Sequence, residues 1–287
     1  VNSMELNQMR MRYYNPALLS LFGFKYVVGN STYYNKIQEG IYLNAQVLPI
    51  GFVVPEVKEY TYYDGEYYTN IEKMYASFLH DEVQLFEDIE VENYHINSSV
   101  DDFLGNMDEV SYSFTVDKSG ILVPKNDLLY FTVTSVSVNG EDVKTLDYYS
   151  NQIIANYVDN IIRVKKGDQV KVTITLNEKE KNIYDVSMDD KEQFLMVLLN
   201  ENNFIEVIDK LQQMPSFFDV DTKNSVLSGK VISDGGTLFF SIPYLDTFHV
   251  RVDGKEVAYN KVVGTFIGIE VEAGEHDIVI NYLPKGF

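Results

Sequence analysis

Val250-Arg-Val-Asp-Gly-Lys-Glu-Val257 reads as strand, tight turn, strand, and Val136-Ser-Val-Asn-Gly-Glu-Asp-Val143 says the same thing earlier in the chain. Apolar and polar residues alternate on both sides of an Asp-Gly or Asn-Gly pair, which readily takes the left-handed backbone of a two-residue hairpin. The likeness continues: Ile162-Arg-Val-Lys-Lys-Gly167 and Ile269-Glu-Val-Glu-Ala-Gly274 each lead into another alternating strand. One shared turn is weak, because Asn-Gly is a common hairpin solution. The same order of elements twice predicts two β-sandwiches of similar topology.

Outward from these octets the period of two persists. SYSFTV, LLYFTVTSVSV, NQIIANYV, IIRV and QVKVTITL lie between Glu90 and Asn177, separated by polar turns at Asn139-Gly140 and Lys166-Gly167. From Phe217 onward, SVLSGKVI, TLFFSIPY, FHVRV, EVAYNKV, FIGIEV and HDIVINYL repeat the style. Between the two regions, KEQFLMVLL and FIEVIDKLQQM read as a pair of amphipathic helices split at Asn200 and closed by Pro215. Upstream, Leu18, Leu19 and Phe22 have helical spacing, followed by a Gly23 stop and a buried strand, Phe24 to Val28. Ile41 to Val54 is strand-like, interrupted at Pro49 and Gly51. Thr69 and Glu72 have capping-box spacing ahead of the stripe Ile71, Met74, Tyr75, Phe78 and Leu79, which predicts a helix from about Asn70 to His80. The expected fold is mainly β with an α+β portion. An amino-terminal α/β subdomain covers 1–95, a first jelly-roll or Ig-like β-sandwich 96–180, a helical connector 181–216 and a second β-sandwich 217–287.

Composition narrows the function classes. The 287 residues carry 23 Lys and Arg against 43 Asp and Glu, a net charge of −20, which opposes nucleic acid, whose binding rests on cations displacing counterions. There is no cysteine, hence no thiolate nucleophile, disulfide framework or Cys-ligated zinc. No window reaches the ~18 apolar residues of a spanning helix, and no signal pattern opens the chain. The openings and endings VNSMELNQ and LPKGF suggest an excised part of a longer protein.

Catalytic motifs are sparse. His80, His95, His249 and His276 show no zinc-hydrolase spacing, and neither a Gly-x-Ser-x-Gly elbow nor a phosphate-cradling loop occurs. Carboxylate pairs such as Asp101-Asp102, Asp108-Glu109 and Asp189-Asp190 suit helix starts and solvated loops. A glycosidase pair needs a separation that sequence does not supply. Asp219-Val-Asp221-Thr-Lys223-Asn224 begins like a calcium loop, but lysine stands where an oxygen ligand belongs. No cofactor or metal is expected. The run Tyr60 to Asn70 gathers five tyrosines around Asp64-Gly65. Either it is a hairpin folded onto its own domain, or Tyr62, Tyr63, Tyr67 and Tyr68 offer apolar faces and hydroxyls to sugar rings.

The carboxy-terminal third adds a resemblance. Ser228-Gly-Lys-Val231, Gly236-Thr-Leu-Phe-Phe-Ser-Ile-Pro-Tyr244, Val250 to Val257, Phe266-Ile-Gly-Ile269, Gly274-Glu-His276 and Tyr282-Leu-Pro-Lys-Gly-Phe287 resemble the end of the YfhO family of bacterial membrane proteins. Leu18 to Val27, Leu48-Pro-Ile-Gly-Phe52 and Asn70 to Phe86 resemble that family's earlier landmarks, in the same order. The resemblance implies a polytopic protein with a GT-C-like membrane portion, transferring a sugar from a polyprenyl-phosphate carrier to lipoteichoic acid or another wall polymer. It places this chain at the extracytoplasmic face of the bacterial cell membrane, with its own transmembrane region and a cell-wall glycan as partners. Catalytic acids are expected between the membrane helices, so none is assigned here. Where the family commonly has Asp, Gly and Trp before the Val-x-Val strand, this chain has Asp246-Thr-Phe248, so Phe248 joins the four tyrosines as a candidate sugar-stacking residue. The alternative is a non-catalytic carbohydrate-binding or adhesive surface protein.

Overall fold

The computed structural model describes residues 15–28, 34–58, 61–63, 66–102, 105–125, 133–146, 162–177 and 191–282. The expected Asp64-Gly65 turn, the strand at Asn151 to Val158 and the pair Asp189-Asp190 lie outside them. Antiparallel strands dominate. The chain divides into two compact units: the first holds a short amino-terminal piece ending at Pro16, Tyr26–Ala45 and Gln84–Phe204, and the second holds Ala17–Lys25, Gln46–Val83 and Ile205–Phe287.

The first unit contains a sandwich. Strands β6 (Glu92–Asp102), β7 (Gly105–Thr115), β9 (Val133–Val138), β10 (Glu141–Leu146) and β12 (Gln169–Asn177) form one sheet in the order β10-β9-β12-β7-β6. Strands β5 (Phe86–Asp88), β8 (Gly120–Pro124), β11 (Ile162–Val164) and β13 (Met196–Leu199) form the other, in the order β11-β8-β13-β5. Alternation puts Val110, Tyr112, Phe114, Val136, Val170, Val172 and Ile174 of the first sheet into a shared core with Leu122, Ile162, Val164, Met196 and Leu198 of the second. Tyr112 keeps its hydroxyl satisfied there by donating to the Phe194 carbonyl at 3.1 Å, and burial raises its pKa. A small sheet of β1 (Tyr26–Val28), β2 (Asn35–Gln38) and β3 (Ile41–Leu43), ordered β1-β3-β2, also belongs to this unit.

The second unit reaches a layered core by bending. Its sheet runs β14 (Phe218–Lys223), β15 (Val226–Pro243), β19 (Phe266–Tyr282), β16 (Phe248–Val252), β17 (Lys255–Glu256), with β18 (Asn260–Val262) on β19 and β4 (Gly51–Val54) on β15. Strands β15 and β19 change neighbours half-way. The first half of β15 lies between β14 and the end of β19, and its second half lies between β4 and the start of β19. At the crossing, Gly235, Gly236 and Gly274 have φ of 100°, 135° and 143°, a region that side chains rarely enter. Val231, Val250, Ile278 and Ile280 share one core with Val53, Leu238, Phe240, Ile267, Ile269 and Val271.

Helices α1 (Pro16–Leu21), α2 (Tyr67–Leu79) and α3 (Glu201–Gln212) complete the description. Three local expectations change. The run Lys191 to Leu199 is a single 3-10 turn, Lys191–Phe194, followed by strand β13 rather than a helix. Met196 to Leu199 are all buried, and a short run that is apolar on every side fits a buried strand as well as a helix. Helix α2 begins three residues before the expected Asn70, at Tyr67. Asn70, the residue expected to open it, instead receives the Tyr63 N–H at 2.9 Å and donates to the Tyr63 carbonyl at 2.6 Å. Finally, β1 carries Tyr26 and Val28 at 55% and 73% exposure, so the strand expected to be buried shows one face to solvent.

Candidate functional site

The structure separates the five candidate aromatic residues. Tyr62 and Tyr63 precede α2 and are exposed. The Lys73 ammonium sits 3.2 Å from the Tyr63 ring centre, so one face of that ring is covered by a cation from its own unit. Tyr67 and Tyr68 stand in the first turn of α2, half-buried, with their rings edge-on at 5.0 Å. Four tyrosines pointing to three different surroundings do not make one flat platform.

Phe248 occupies a different setting. It lines a cleft of about 280 Å³ in the second unit, with Val226, Leu227, Ile242 and Ile280 as apolar wall and Thr222, Lys223, Asn224 and Ser225 as rim. Its ring meets Tyr282 edge-on at 5.8 Å, and Tyr282 is directly opposite on the neighbouring strand. The rim is the two-residue turn between β14 and β15: Lys223 pairs with Val226, and Asn224 and Ser225 both have positive φ, 52° and 64°. The Tyr282 N–H donates to the Ser225 carbonyl at 3.1 Å and ties the turn to β19. Lys223 pairs with Asp221 at 3.1 Å. An apolar and aromatic wall beside hydroxyl, amide and ammonium groups suits the mixed surface of a sugar ring. The family resemblance singles out Phe248, whereas Lys223 and Asn224 of the rim read in the sequence only as part of an imperfect calcium loop. The available signal was Asn224, a residue that tolerates the left-handed region, but serine in the next position hides the hairpin.

The matching place in the first unit holds a buried pair instead. In its sheet the pair opposite one another is Thr134 and Ile174, at 1% and 0% exposure. In the second unit the pair in the same register is Phe248 and Tyr282.

The two octets that opened the reading also sit in matching corners. Asn139 donates its N–H to the Gln169 carbonyl at 2.8 Å, its Oδ1 accepts the Gln169 N–H at 2.9 Å, and its Nδ2 donates to Asp168 at 2.9 Å. Asp253 donates its N–H to the Asp277 carbonyl at 2.9 Å, accepts the Asp277 N–H on Oδ1 at 2.9 Å, and holds Nδ1 of His276 on Oδ2 at 2.8 Å. The other ring nitrogen of His276 meets the Glu272 carbonyl at 3.1 Å. Both nitrogens thus face acceptors, which favours the doubly protonated ring, and the hydrogen bond to Asp253 raises the His276 pKa. The pair closes a corner; neither nitrogen is left to take a proton from a substrate. Asp168 is held below its usual range by the Lys165 N–H and then by Asn139.

A second, smaller cleft of about 190 Å³ in the first unit gathers Glu87, Asp88, Glu90 and Asp117 beside Lys118. Burial pushes Glu87 up, but hydrogen bonds from Asn200 and Lys118 outweigh it and leave the carboxyl below its usual range. Glu87 is therefore an ionised, ion-paired side chain rather than a proton donor for glycosidic cleavage. Among the described residues no group of three or more metal-ligating side chains is placed to hold an ion.

Comparison with known proteins gives the same family as the resemblance in the sequence. A family model described as bacterial membrane protein YfhO matches residues 4–287, nearly the whole chain, and the chain belongs to that family. No curated protein matches it. Among the described residues no helix is long and apolar enough to cross a membrane.

Proposed function

We propose that this member of the YfhO family is the extracytoplasmic portion of a multi-pass membrane protein that helps glycosylate lipoteichoic acid or another wall polymer from a polyprenyl-phosphate sugar donor. Its own part is to bind the acceptor, and the Phe248 cleft receives a sugar of that acceptor. The observation that carries this reading is the contrast between equivalent positions. In one sheet the aromatic pair Phe248–Tyr282 stands beside a polar rim, where the similarly built sheet has the buried pair Thr134–Ile174. A net charge of −20 repels a polyphosphate chain at distances up to roughly the Debye length of about 8 Å. Recognition through neutral sugar rings avoids that penalty, and a cleft of this size accommodates about one ring.

Titration of the chain with glycosylated and unglycosylated glycerol-phosphate oligomers, read by calorimetry, tests the proposal. Only the glycosylated oligomers are expected to bind. Phe248→Ala should weaken them about tenfold, about the 1.4 kcal/mol of one lost aromatic contact. Tyr62→Ala and Tyr63→Ala should leave affinity unchanged. Equal binding of bare oligomers, or an unaltered Phe248→Ala variant, removes the cleft from the account.

A further inference from the structure

The correspondence between the units reaches beyond the hairpin octets. The first unit's sheet β10-β9-β12-β7-β6 is matched by β17-β16-β19-β15-β14, using the end of β19 and the start of β15. The sheet β11-β8-β13-β5 is matched by the start of β19, the end of β15, β4, and a bridge from Phe52 of β4 to Ser216. Register agrees as well. Ile162 opposes Leu122 and Val164 opposes Gly120 in one unit, while Ile269 opposes Leu238 and Val271 opposes Gly236 in the other.

The strands β13 and β4 are equivalent in this scheme, and both are followed in sequence by a helix, α3 and α2 respectively. Each docks by the same detail. A Cβ on Gly120 would lie 2.4 Å from the Leu199 carbonyl oxygen, and a Cβ on Gly236 would lie 2.4 Å from the Val54 carbonyl oxygen. The Lys125 N–H donates to the Leu195 carbonyl at 2.8 Å, and the Ser241 N–H donates to the Ile50 carbonyl at 2.9 Å. Chain order then shows a crossing. The segment that begins with β4 and α2 continues into the β5 to β12 sandwich, yet β4 pairs with β15 of the later sandwich. The segment that begins with β13 and α3 continues into β14 to β19, yet β13 pairs with β8 and β5 of the earlier one.

We infer that the chain is two copies of one strand, helix and sandwich unit that have exchanged their leading strands, so that each sandwich is a binding site for the apolar strand of the other copy. Both donors, Gly51–Val54 and Met196–Leu199, are buried at every position. Side-chain polarity therefore does not choose between receptors. What each receptor requires is an apolar strand whose last carbonyl can approach a glycine. The physical consequence is mutual dependence: neither sandwich completes its second sheet from its own copy.

The 287-residue chain, which contains no cysteine, permits a direct test. Val53 lies opposite Leu238, and Leu198 opposite Leu122, both at ladder positions where Cα atoms stand about 4.5 Å apart, within disulfide reach. Exchange predicts that the double variants Val53→Cys/Leu238→Cys and Leu122→Cys/Leu198→Cys oxidise within one chain, while Val53→Cys/Leu122→Cys and Leu198→Cys/Leu238→Cys stay reduced. The reverse pattern, or bonds joining two chains, overturns the inference. Single truncations give a second readout that does not depend on oxidation. Val53→Ala should speed amide exchange at Leu238 to Phe240 by about tenfold or more while sparing Ile121 to Val123, and Leu198→Ala should do the opposite. Loosening of Ile121 to Val123 by Val53→Ala would sink it.

Discussion

At the Asn139 corner of the first unit and the Asp253 corner of the second, the backbone and each Oδ1 make the same bonds, and the remaining side-chain atom makes an opposite one. Asn139 donates a hydrogen bond to Asp168, whereas Asp253 accepts one from His276. A two-residue turn needs a left-handed residue that can also accept the neighbouring strand's N–H, and Asn139 and Asp253, at φ 53° and 52°, both satisfy that. The second bond is free to be built from either polarity. The comparison teaches that geometry at this corner is constrained by the backbone, while charge and titration are open to divergence between the units.

The same logic ranks the ways to break the likeness. The largest effect is expected at the glycines that admit β4 and β13. Gly236→Ala meets the Val54 carbonyl and also forces a side chain to φ 135°, so overpacking and backbone strain together should cost about 4 kcal/mol. Gly120→Ala meets the Leu199 carbonyl without that strain and should cost about 2–3 kcal/mol. Urea midpoints measure both, and equal losses would show that strain adds nothing at the second site. Next comes Tyr112, whose counterpart in register is Leu227. Tyr112→Phe leaves the Phe194 carbonyl without its donor and should cost about 1 kcal/mol in the same assay.

The corners themselves should separate with pH. The His276 pKa is raised in the folded state, so its stabilisation is complete below the ordinary histidine value of 6.5 and disappears as pH climbs through the raised value. Asp168 is lowered, so its contribution is present above the ordinary aspartate value of 3.8 and fades only as pH falls through the depressed one. Urea midpoints taken between pH 5 and pH 9 should therefore decline on the alkaline side in the native chain. His276→Asn should flatten that decline, and Asp168→Asn should leave it in place. The smallest effect belongs to Lys125, bridged to Asp88 at 2.8 Å and to Glu192 at a partly exposed site. Lys125→Met should change stability by less than about 1 kcal/mol, because exposed ion pairs are screened and entropically costly.

Much of the architecture was legible because strand and turn chemistry act locally. Val136 to Val143 and Val250 to Val257 form the expected hairpins, with Asn139-Gly140 and Asp253-Gly254 at their tips. Phe248 was singled out by the family resemblance rather than by local chemistry, and it lines the cleft. Met196 to Leu199 misled the reading because an apolar residue at every position has no period with which to distinguish strand from helix. The cleft's other walls, Leu227 and Ile242 from the two ends of β15 and Ile280 from β19, look like ordinary core residues in isolation.

Sequence alone determined the β-rich class, the two matching corners and the absence of cysteine chemistry, since these depend on neighbours within a few residues. Tertiary structure decided which sandwich each apolar strand completes, that one corner carries an imidazole–carboxylate pair, and that one aromatic edge opens into a cleft. Those outcomes are set by long-range packing, in which several receptors satisfy the same apolar pattern and only the close approach of backbone to glycine, or of ring to ring, selects among them.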